Sequence, residues 1–576
     1  MAEIRGIGGA SGQAVGRIVV LKEQEYTVEC EQIQNPGAEV EKLEEARDEY
    51  RREMAKLYEE TRAAEGEEAA AIFQAYKEMA DDDIFFQQPV SRVREESINM
   101  EFALEEEKKK VASVFLSMED PYMKERGTDI ENVCNALIKK MKGIPSPIEK
   151  IRKIKEDFIV AAEDLTPADT VRLDKRYLRG FVTERGGRTS HTVILAKTLG
   201  IPAVVGAAGI MESARDGEMI WIDGGAGRAI LDPSEETMRQ YECERQQAAH
   251  RKEMYDQVKK EPAVTTDGHR LQICVNSGDR ESLRSLAIDE CDGVGLFRTE
   301  FLYMSGSEAP TEEFQYEVYR ELAEKAGGKE VIIRTLDIGG DKQIDYMDLP
   351  KEQNPFLGYR AIRICLDKTE LFKTQLRAIL RASAHGKVSV MFPMIVNLEE
   401  LWQARSFVRE CQEELDAQGY AYDKEIRIGI MIETPAAVLL SDKLAAEADF
   451  FSIGTNDLIQ YITATDRMNE RTQYLYRICN LSVLRAVKTV ADNAHRAGIP
   501  VGICGESASD ERMTCVWLGL GIDELSMVSG QTSHIKYIIR HTSKKEAQEI
   551  AENVLDMDTA GEVEQYLDRL AEEQIR

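Results

Sequence analysis

The amino-acid sequence predicts a multidomain α/β protein, in which a small α/β domain with a helical insertion precedes a (β/α)8 TIM-type barrel. Its 576 residues exceed the roughly 250–300 residues at which one hydrophobic core stops growing, so several domains are expected. Near the start of the chain, a long helical stretch interrupts β-branched runs punctuated by glycine. Strand-like and helical patterns then alternate through the second half, as in a barrel.

The first half of the chain combines two kinds of pattern. Residues 39–142 are rich in Glu, Lys, Ala and Met, with apolar residues at helical spacing, which predicts a helical hairpin or bundle. The flanking segments 6–21 and 158–231 carry β-branched runs separated by glycine, which are typical of strands. The predicted boundaries are 1–21 and 146–231 for the α/β domain and 22–145 for the inserted helical domain.

The second half begins with a polar segment at 232–261 that has little apolar face and is predicted to be a connecting helix. Eight strand-like runs separated by helical patterns follow it, which is the number that a (β/α)8 barrel requires. These runs are 271–276, 293–298, 331–336, 388–394, 426–432, 450–453, 499–504 and 524–527. We therefore predict a barrel over residues 262–576, with the active site at the C-terminal ends of its strands.

Charge and composition argue against several classes of function. The formal net charge is −30, from 74 basic and 104 acidic residues, and nucleic acid is bound by clustered Lys and Arg. An acidic surface suits a basic protein partner, or serves only solubility. The sequence shows no leader-like apolar region and no membrane-length apolar run, so we expect a cytoplasmic protein without membrane insertion. The 10 Cys are scattered, which indicates neither zinc nor disulfides.

The motif Gly186-Gly187-Arg188-Thr189-Ser190-His191-Thr192 precedes an apolar, helix-like run. Paired glycines let the backbone approach a phosphate closely, and Thr189 or Ser190 can cap the helix that begins here. At a helix N-terminus the dipole keeps the His191 ring neutral and favours a dianionic phosphate once it is attached. We therefore predict a phosphohistidine site at His191. A histidine taken alone is, as the alternative, a structural or surface residue.

Two arginines end neighbouring strands of the predicted barrel. Arg298 closes the run 293–298, and Arg334 ends the apolar run that starts at Val331. Because Arg offers planar, bidentate donors to carboxylate and phosphate, two such groups imply a ligand with several anionic groups. Phosphoenolpyruvate carries both a carboxylate and a phosphate. Either arginine alone could instead form an ordinary surface ion pair.

Carboxylates follow two further predicted strands, Glu433 after the run 426–432 and Asp457 shortly after the run 450–453. Such a pair can hold a hard cation, and Mg²⁺ in proteins typically takes one or two carboxylates plus substrate oxygens. The sequence therefore predicts a Mg²⁺ site that neutralises a transferring phosphoryl group. The alternative is that each carboxylate only caps the helix that follows it.

Cys504 ends the apolar run 499–504, again at a predicted strand end. Loss of the phosphoryl group turns phosphoenolpyruvate into the enolate of pyruvate, whose methylene carbon has to be protonated. A thiol with a pKa near ~8.5 is largely protonated at neutral pH and can serve as that acid. A cysteine after an apolar strand is, as the alternative, merely a small buried residue.

These motifs, in this order along essentially the whole chain, resemble the enzyme I family of the phosphoenolpyruvate:sugar phosphotransferase system. The His191 motif is similar to the Gly-Gly-x-Thr-Ser-His signature that this family shares with pyruvate phosphate dikinase and phosphoenolpyruvate synthase. Near-identical blocks lie at 297–304, 334–342, 354–363, 391–394, 433–437 and 450–460. The resemblance implies that His191 is the phosphorylated histidine and Cys504 the proton donor. The implied phosphoenolpyruvate ligands are Arg298, Arg334, Asn456, Asp457 and Arg467, with Arg360 as a weaker candidate, and the implied Mg²⁺ ligands are Glu433 and Asp457.

The resemblance also implies an activity and its partners. The chain is expected to move the phosphoryl group of phosphoenolpyruvate to His191 and then to a histidine of the carrier protein HPr, releasing pyruvate. A swivelling phosphohistidine domain, a homodimer formed through the barrel and an HPr-binding helical domain are expected with it. In the docking helix, Tyr76-Lys77-Glu78-Met79 stands where the family has His and an apolar Met-Leu pair. A charged residue in a hydrophobic docking patch would weaken or redirect carrier binding.

Two other classes of function are alternatives. The first is a non-transferring regulatory or scaffold protein with a decayed site, against which the complete set of Arg, Glu, Asp and Cys argues. The second is an ATP-dependent synthase. Only about 185 residues precede the His191 motif, and none of them forms a Gly-rich nucleotide loop.

Overall fold

A computed structural model describes the chain except for residues 1, 23–25, 66, 117–120, 145–150, 152–153, 166–172, 174, 188–189, 279–281, 284–285, 305, 341–343, 470 and 576. The chain divides into two compact units, Met1–Gln246 and Gln247–Arg576. Within the described part of the chain, no helix combines the length and the apolar character needed to span a bilayer.

The first unit contains a mixed sheet of eight strands in the order β1-β8-β7-β3-β4-β5-β6-β2. The strands are β1 Ala2–Arg5, β2 Ile7–Ala10, β3 Gln13–Leu21, β4 Phe158–Ala162, β5 Leu178–Thr183, β6 Ala203–Val205, β7 Met219–Asp223 and β8 Arg228–Leu231. The inner pairs from β3 to β6 are parallel and the other pairs antiparallel. Strand β4 is buried on both faces, since its consecutive residues Ile159 and Val160 belong to different apolar clusters. The sheet is therefore covered on both sides.

A helical segment is inserted between β3 and β4, as the sequence predicts. Its helices are Pro36–Glu65, Glu67–Asp81, Asp83–Glu96, Met100–Leu116 and Pro121–Met141. The segment has an apolar core of its own, in which Leu43, Phe73 and Leu104 are almost fully buried. Tyr76 belongs to this core and donates a hydrogen bond to Asp129 Oδ1 at 3.1 Å, whereas Glu78 is exposed.

Among the described residues, three further α-helices lie between or after the strands of this sheet in the sequence. They are His191–Leu199, Ile210–Ser213 and Glu235–Val258. The last of them spans 24 residues and coincides with the predicted connecting helix, whose polar sequence leaves most of its described side chains exposed or half-buried.

The second unit is built on a closed barrel of eight parallel strands. They are β9 Gln272–Ser277, β10 Gly293–Arg298, β11 Glu330–Arg334, β12 Val388–Phe392, β13 Arg427–Ile432, β14 Phe451–Ile453, β15 Val501–Ile503 and β16 Glu524–Met527. Every predicted run overlaps one of these strands, and the predicted barrel is confirmed. The α-helices of this unit are Glu300–Met304, Glu312–Lys325, Ile362–Asp367, Thr369–Ser383, Leu398–Gln418, Pro435–Leu439, Ser441–Leu444, Thr455–Thr463, Leu481–Ala497, Glu511–Leu520, Thr532–Arg540, Lys544–Leu555 and Ala560–Ile575.

An apolar plug fills the interior of the barrel. Its members are Leu296, Ile332, Met391, Met431, Phe450 and Cys504. A barrel interior filled in this way is a packed core and not a pore. A site for a charged ligand is therefore expected at an end of the barrel. The candidate residues lie at the C-terminal ends of the strands, which are called the barrel mouth below.

The opposite end of the barrel holds a half-buried glutamate. Glu524, the first residue of β16, takes the space that a side chain at position 295 would need, because a Cβ on Gly295 would lie 2.2 Å from Glu524 Oε1. Burial, reinforced by the nearby Glu330 carboxylate, raises the pKa of Glu524 from its ordinary 4.5 to about 7. The folded protein holds this proton more tightly than the unfolded chain does, so stability falls as the pH rises from 4.5 through 7.

We predict that Glu524→Gln stabilises the protein against urea at pH 8 by about 2–3 kcal/mol, and by much less at pH 5, because the amide never ionises. Tryptophan fluorescence during urea unfolding measures both values. Glu312→Gln is the control for loss of a carboxylate elsewhere in the barrel unit, since Glu312 pairs with Arg377 at 2.7 Å and its loss should destabilise the protein at both pH values. A stabilisation by Glu524→Gln that is equal at pH 5 and pH 8 would contradict the assignment.

Candidate active site

His191 is the first residue of the helix His191–Leu199, as the sequence predicts. Gly186, in the preceding loop, has a φ of +101°. Residues other than glycine rarely adopt this backbone conformation. The glycine therefore allows the chain to turn sharply before the helix starts. The positive end of the helix dipole therefore lies at residue 191.

The expected side-chain cap of this helix is wrong for Ser190, and Thr189 lies outside the described residues. Ser190 is the N-cap residue by position, but its hydroxyl makes no capping hydrogen bond. The backbone N–H of Val193 donates instead to the Ser190 carbonyl at 3.0 Å. Because the main chain already satisfies this amide, the buried Ser190 hydroxyl is left without a hydrogen-bond partner among the described residues.

In the barrel unit, the predicted residues come to the barrel mouth from five of the eight strands, β10, β11, β13, β14 and β15. Arg298 and Arg334 are the last residues of β10 and β11 and face each other in the strand register. Glu433 follows β13, Asp457 lies in the first turn of the helix after β14, and Cys504 follows β15.

Six charged side chains form an ion-pair chain across the barrel mouth, with acidic and basic residues in alternation. In order they are Glu300, Arg334, Asp337, Arg360, Asp457 and Arg467, and the successive N···O distances are 2.7, 2.9, 3.0, 3.1 and 3.9 Å. The first five side chains are at most 9% exposed, whereas Arg467 is 24% exposed. Arg360, the weaker candidate from the sequence, joins the two halves of the ion-pair chain by contacting both Asp337 and Asp457.

Pairing keeps the buried arginines charged. Burial alone disfavours a guanidinium cation, but Asp337 together with Glu300 outweighs it and raises the pKa of Arg334. Asp337 and Asp457 raise the pKa of Arg360 in the same way. Breaking a buried pair by removing one partner typically costs about 3–5 kcal/mol, because the other charge is left uncompensated. Loss of any one buried member would therefore destabilise its neighbours in the ion-pair chain.

Glu433 lies beside this chain and does not cap a helix. Thr434 caps the helix Pro435–Leu439 by accepting from the Ala437 amide at 3.1 Å, whereas Glu433 Oε1 accepts from the Met394 amide at 2.6 Å. Met394 has a φ of +58°, and residues held in such sparsely populated conformations cluster at functional sites. Asp457 is not an N-cap either, since Gly454 holds that position. The capping alternative from the sequence is therefore wrong for both carboxylates.

The two carboxylates fit a divalent cation. Burial, followed by repulsion from Asp457 and Asp337, raises the pKa of Glu433 to about 8, and a bound cation would relieve this repulsion. Asp457 Oδ1 is buried and accepts no hydrogen bond from the described residues. Among those residues no group of three or more His, Cys, Asp and Glu is placed to hold a metal. The protein thus offers two carboxylates, and substrate or water would complete the shell.

Hydrogen-bond donors without acceptors gather at the same place. The buried Arg334 Nε, Arg360 Nε and Gln460 Nε2 donate to no acceptor among the described residues. Arg298, which is only half-buried, has no hydrogen-bond or ion-pair partner in that part of the chain. Buried polar groups are normally satisfied, so these donors are consistent with a site for an anionic ligand.

Cys504 lies where the apolar plug meets the barrel mouth. The residue is 2% exposed and contacts apolar neighbours that include Met431 and Phe450. Burial raises the pKa of its thiol to about 11, above the ordinary value of about 8.5 assumed from the sequence. The thiol therefore remains protonated over the whole physiological range.

Asn456 stands apart from the other candidates. Its side chain exchanges long hydrogen bonds with Glu506, at 3.3 Å to the Glu506 carboxylate and 3.4 Å from the Glu506 amide. Within the described part of the chain, Asn456 makes no hydrogen bond with the ion-pair chain. Tyr476 fixes its backbone by donating to the Asn456 carbonyl at 3.1 Å.

Sequence reasoning missed Glu300 and Asp337, each of which lies two or three residues after a predicted arginine. This adjacency was an available signal, because a buried arginine at a strand end requires a nearby carboxylate. Phe356, Gln460 and Tyr461 were also missed. Their contacts depend on how the connection after β11 packs against the helix Thr455–Thr463 and the segment that follows it, which local sequence patterns do not report.

Comparison with known proteins places these features in a family. Family models match three stretches of the chain: PEP-utilising enzyme, N-terminal, over residues 5–126; PEP-utilising enzyme, mobile domain, over 154–227; and PEP-utilising enzyme, PEP-binding domain, over 252–544.

Three relatives that are similar over nearly the full length of this chain are named phosphoenolpyruvate-protein phosphotransferase. The protein from Bacillus subtilis (strain 168) is 41% identical over 563 residues, which cover 98% of each chain. The protein from Priestia megaterium is 40% identical over 565 residues, and that from Geobacillus stearothermophilus is 41% identical over 566, each again with 98% of both chains covered. This chain therefore belongs to the phosphoenolpyruvate-protein phosphotransferase family.

Proposed function

We propose that this enzyme transfers the phosphoryl group of phosphoenolpyruvate to His191 and from there to a histidine of an HPr-type phosphocarrier protein, releasing pyruvate. The observation that carries the proposal is the barrel mouth, where buried arginines, a carboxylate pair and a protonated thiol meet. A phosphotransferase activity is common to the named relatives. The step would be the first of a sugar phosphotransferase system.

Phosphoenolpyruvate would bind through the cationic groups of the mouth. Arg298 has no partner among the described residues, so its guanidinium can donate to the phosphoryl or carboxylate oxygens without first breaking another contact. Arg334 and Arg360 each retain an Nε donor without an acceptor there. Arg467, at the exposed end of the ion-pair chain, and Asn456 are the remaining proposed ligands. Several bidentate donors around one small dianion provide orientation as well as affinity.

A divalent metal is needed by phosphoenolpyruvate-utilising enzymes, and we propose that it is Mg²⁺ held by Glu433 and Asp457. When bound, the ion would neutralise charge on the transferring phosphoryl group. Glu433 would lose its proton on metal binding, because its pKa of about 8 otherwise keeps it largely neutral at pH 7. The remaining ligands would be oxygens of substrate or water.

His191 would attack phosphorus as the neutral imidazole, and the N–P bond would form as the enolate oxygen leaves. The helix that starts at His191 favours both the neutral ring and the phosphorylated product, since its dipole repels imidazolium and attracts phosphate. Cys504 would then protonate the methylene carbon of the enolate to give pyruvate. Its raised pKa, about 11, ensures that the proton is present at neutral pH.

The helical insertion is the proposed docking site for the carrier. Tyr76 is buried in the core of this segment, so its difference from the family pattern lies beneath the surface. Glu78 is exposed and accepts from Gln74 at 2.8 Å, so it lies on the surface of the proposed docking helix. We propose that the carrier is an HPr-type protein with a polar or basic group opposite Glu78.

The proposed assembly is a cytoplasmic homodimer formed through the barrel unit. Several large apolar side chains in the connections that follow β11, β13 and β14 are exposed, including Leu357 at 67%, Leu439 at 81% and Met468 at 67%. Exposed apolar side chains of this size are suited to burial at a protein interface. The domain boundaries proposed for the chain remain those derived from its sequence.

We predict that His191→Ala abolishes the covalent label that the enzyme takes from ³²P-labelled phosphoenolpyruvate and Mg²⁺. The substitution removes the only proposed phosphoryl acceptor, and gel autoradiography after acid-free denaturation measures the label. His250→Ala, at an exposed position on the connecting helix, is the matched control and should label normally. Retention of label in His191→Ala would defeat the assignment.

We predict that Cys504→Ser slows phosphorylation from phosphoenolpyruvate by about 10²–10⁴-fold, the usual contribution of a general acid. Rapid-quench measurement of phosphohistidine formation tests this. Phosphorylation of His191 from phosphorylated HPr needs no carbon acid and should keep its normal rate.

Cys479→Ser is the control for the loss of a buried thiol, since Cys479 is also 2% exposed but has no proposed role. A normal rate from phosphoenolpyruvate in Cys504→Ser, or equal losses from both phosphoryl donors, would contradict the role of Cys504.

A further inference from the structure

Phe356 contacts two of the cations at the barrel mouth. It lies in the short 3-10 helix Pro355–Leu357, in the connection after β11. The guanidinium carbons of Arg360 and Arg467 lie 5.9 and 5.5 Å from the centroid of its ring. A guanidinium within about 6 Å of an aromatic centroid is attracted by the ring quadrupole. One ring therefore contacts arginines from two different loops.

The ring itself is firmly held. Tyr461 donates to the Phe356 carbonyl at 2.5 Å and accepts from Arg360 Nη1 at 3.0 Å, which closes a triangle of contacts among the three residues. Gly340 has a φ of +70°, and a Cβ there would lie 3.0 Å from Phe356 Cδ1. The ring thus packs directly against a stretch of backbone that only glycine fits comfortably.

Arg467 has the greater need of such a contact. Its pair with Asp457 has the longest distance in the ion-pair chain, 3.9 Å, and its side chain is 24% exposed. An exposed, distant pair of this kind restrains a long side chain poorly. The Arg467 amide is fixed separately, by donation to Gln460 Oε1 at 3.0 Å. The backbone is therefore anchored, and the ring is one of the contacts that restrain the guanidinium.

We infer that Phe356 is a positioning residue for phosphoenolpyruvate: its ring holds the Arg360 and Arg467 guanidinium groups in the arrangement that binds the substrate. This inference rests on the proposed function. The ring does not touch the reacting atoms, so its loss affects substrate binding more than the chemical step. The contribution depends on the ring quadrupole and not only on its bulk, which separates positioning from simple packing.

The test is steady-state kinetics of the full-length enzyme with phosphoenolpyruvate as the varied substrate. Phe356→Leu should raise KM about tenfold, with kcat changed by less than about twofold. Phe356→Tyr should restore the normal KM. Pentafluorophenylalanine at position 356 keeps the shape of the ring but reverses its quadrupole, and should raise KM as Leu does.

Phe407→Leu is the matched control. Lys373 lies 5.9 Å from the Phe407 ring centroid, so this substitution also removes an aromatic ring with a cation over it, but on the helices Thr369–Ser383 and Leu398–Gln418. It should leave KM unchanged. A normal KM for Phe356→Leu, or normal behaviour of the pentafluorophenylalanine enzyme, would overturn the inference. Failure of the unsubstituted enzyme to take phosphate from phosphoenolpyruvate would instead overturn the proposed function.

Discussion

Asp337 pairs with Arg334 and Arg360 at once, and this shared carboxylate allows two buried guanidinium groups to lie at one barrel mouth. Without it, Arg334 would keep only Glu300 as a partner and Arg360 only Asp457. Removing one partner of a buried ion pair typically costs about 3–5 kcal/mol. Burial, together with the carboxylates that the same arrangement crowds around it, raises the pKa of Glu433. An anionic substrate would offset the positive charge of the arginines, and a divalent cation would offset the negative charge of the carboxylates. The charges at the barrel mouth thus favour binding of the substrate together with the cation over binding of either one alone.

The apolar plug beneath the charges is the second constraint. Because Met431 and Phe450 exclude water from the barrel interior, the electric fields of the ion pairs are screened less than they would be in solvent. The same surroundings raise the pKa of Cys504 and so keep a proton at the edge of the polar layer. One boundary between an apolar and a charged layer therefore accounts for both the strong ion pairs and the protonated thiol.

The sequence predicted the barrel well because each strand is a short apolar run and each candidate residue stands at the end of one. Arg298, Arg334 and Glu433 could be found in this way. The central place of Arg360 could not, because it follows a loop and its partners Asp337 and Asp457 come from two other elements. The Ser190 cap failed for a related reason, since a local motif does not reveal that the main chain has already satisfied the amide.

Arg360 bridges Asp337 and Asp457 at the centre of the ion-pair chain. The affinity of Arg360→Lys for phosphoenolpyruvate tests most directly whether this bridge organises the substrate site. Lys keeps the positive charge but cannot replace the planar fork that contacts Asp337, Asp457 and Tyr461. Isothermal titration calorimetry with Mg²⁺, on a His191→Ala background that does not consume the substrate, measures the dissociation constant. The account predicts that binding weakens by about tenfold or more. A dissociation constant equal to that of the His191→Ala enzyme would show that charge alone suffices and would contradict the account.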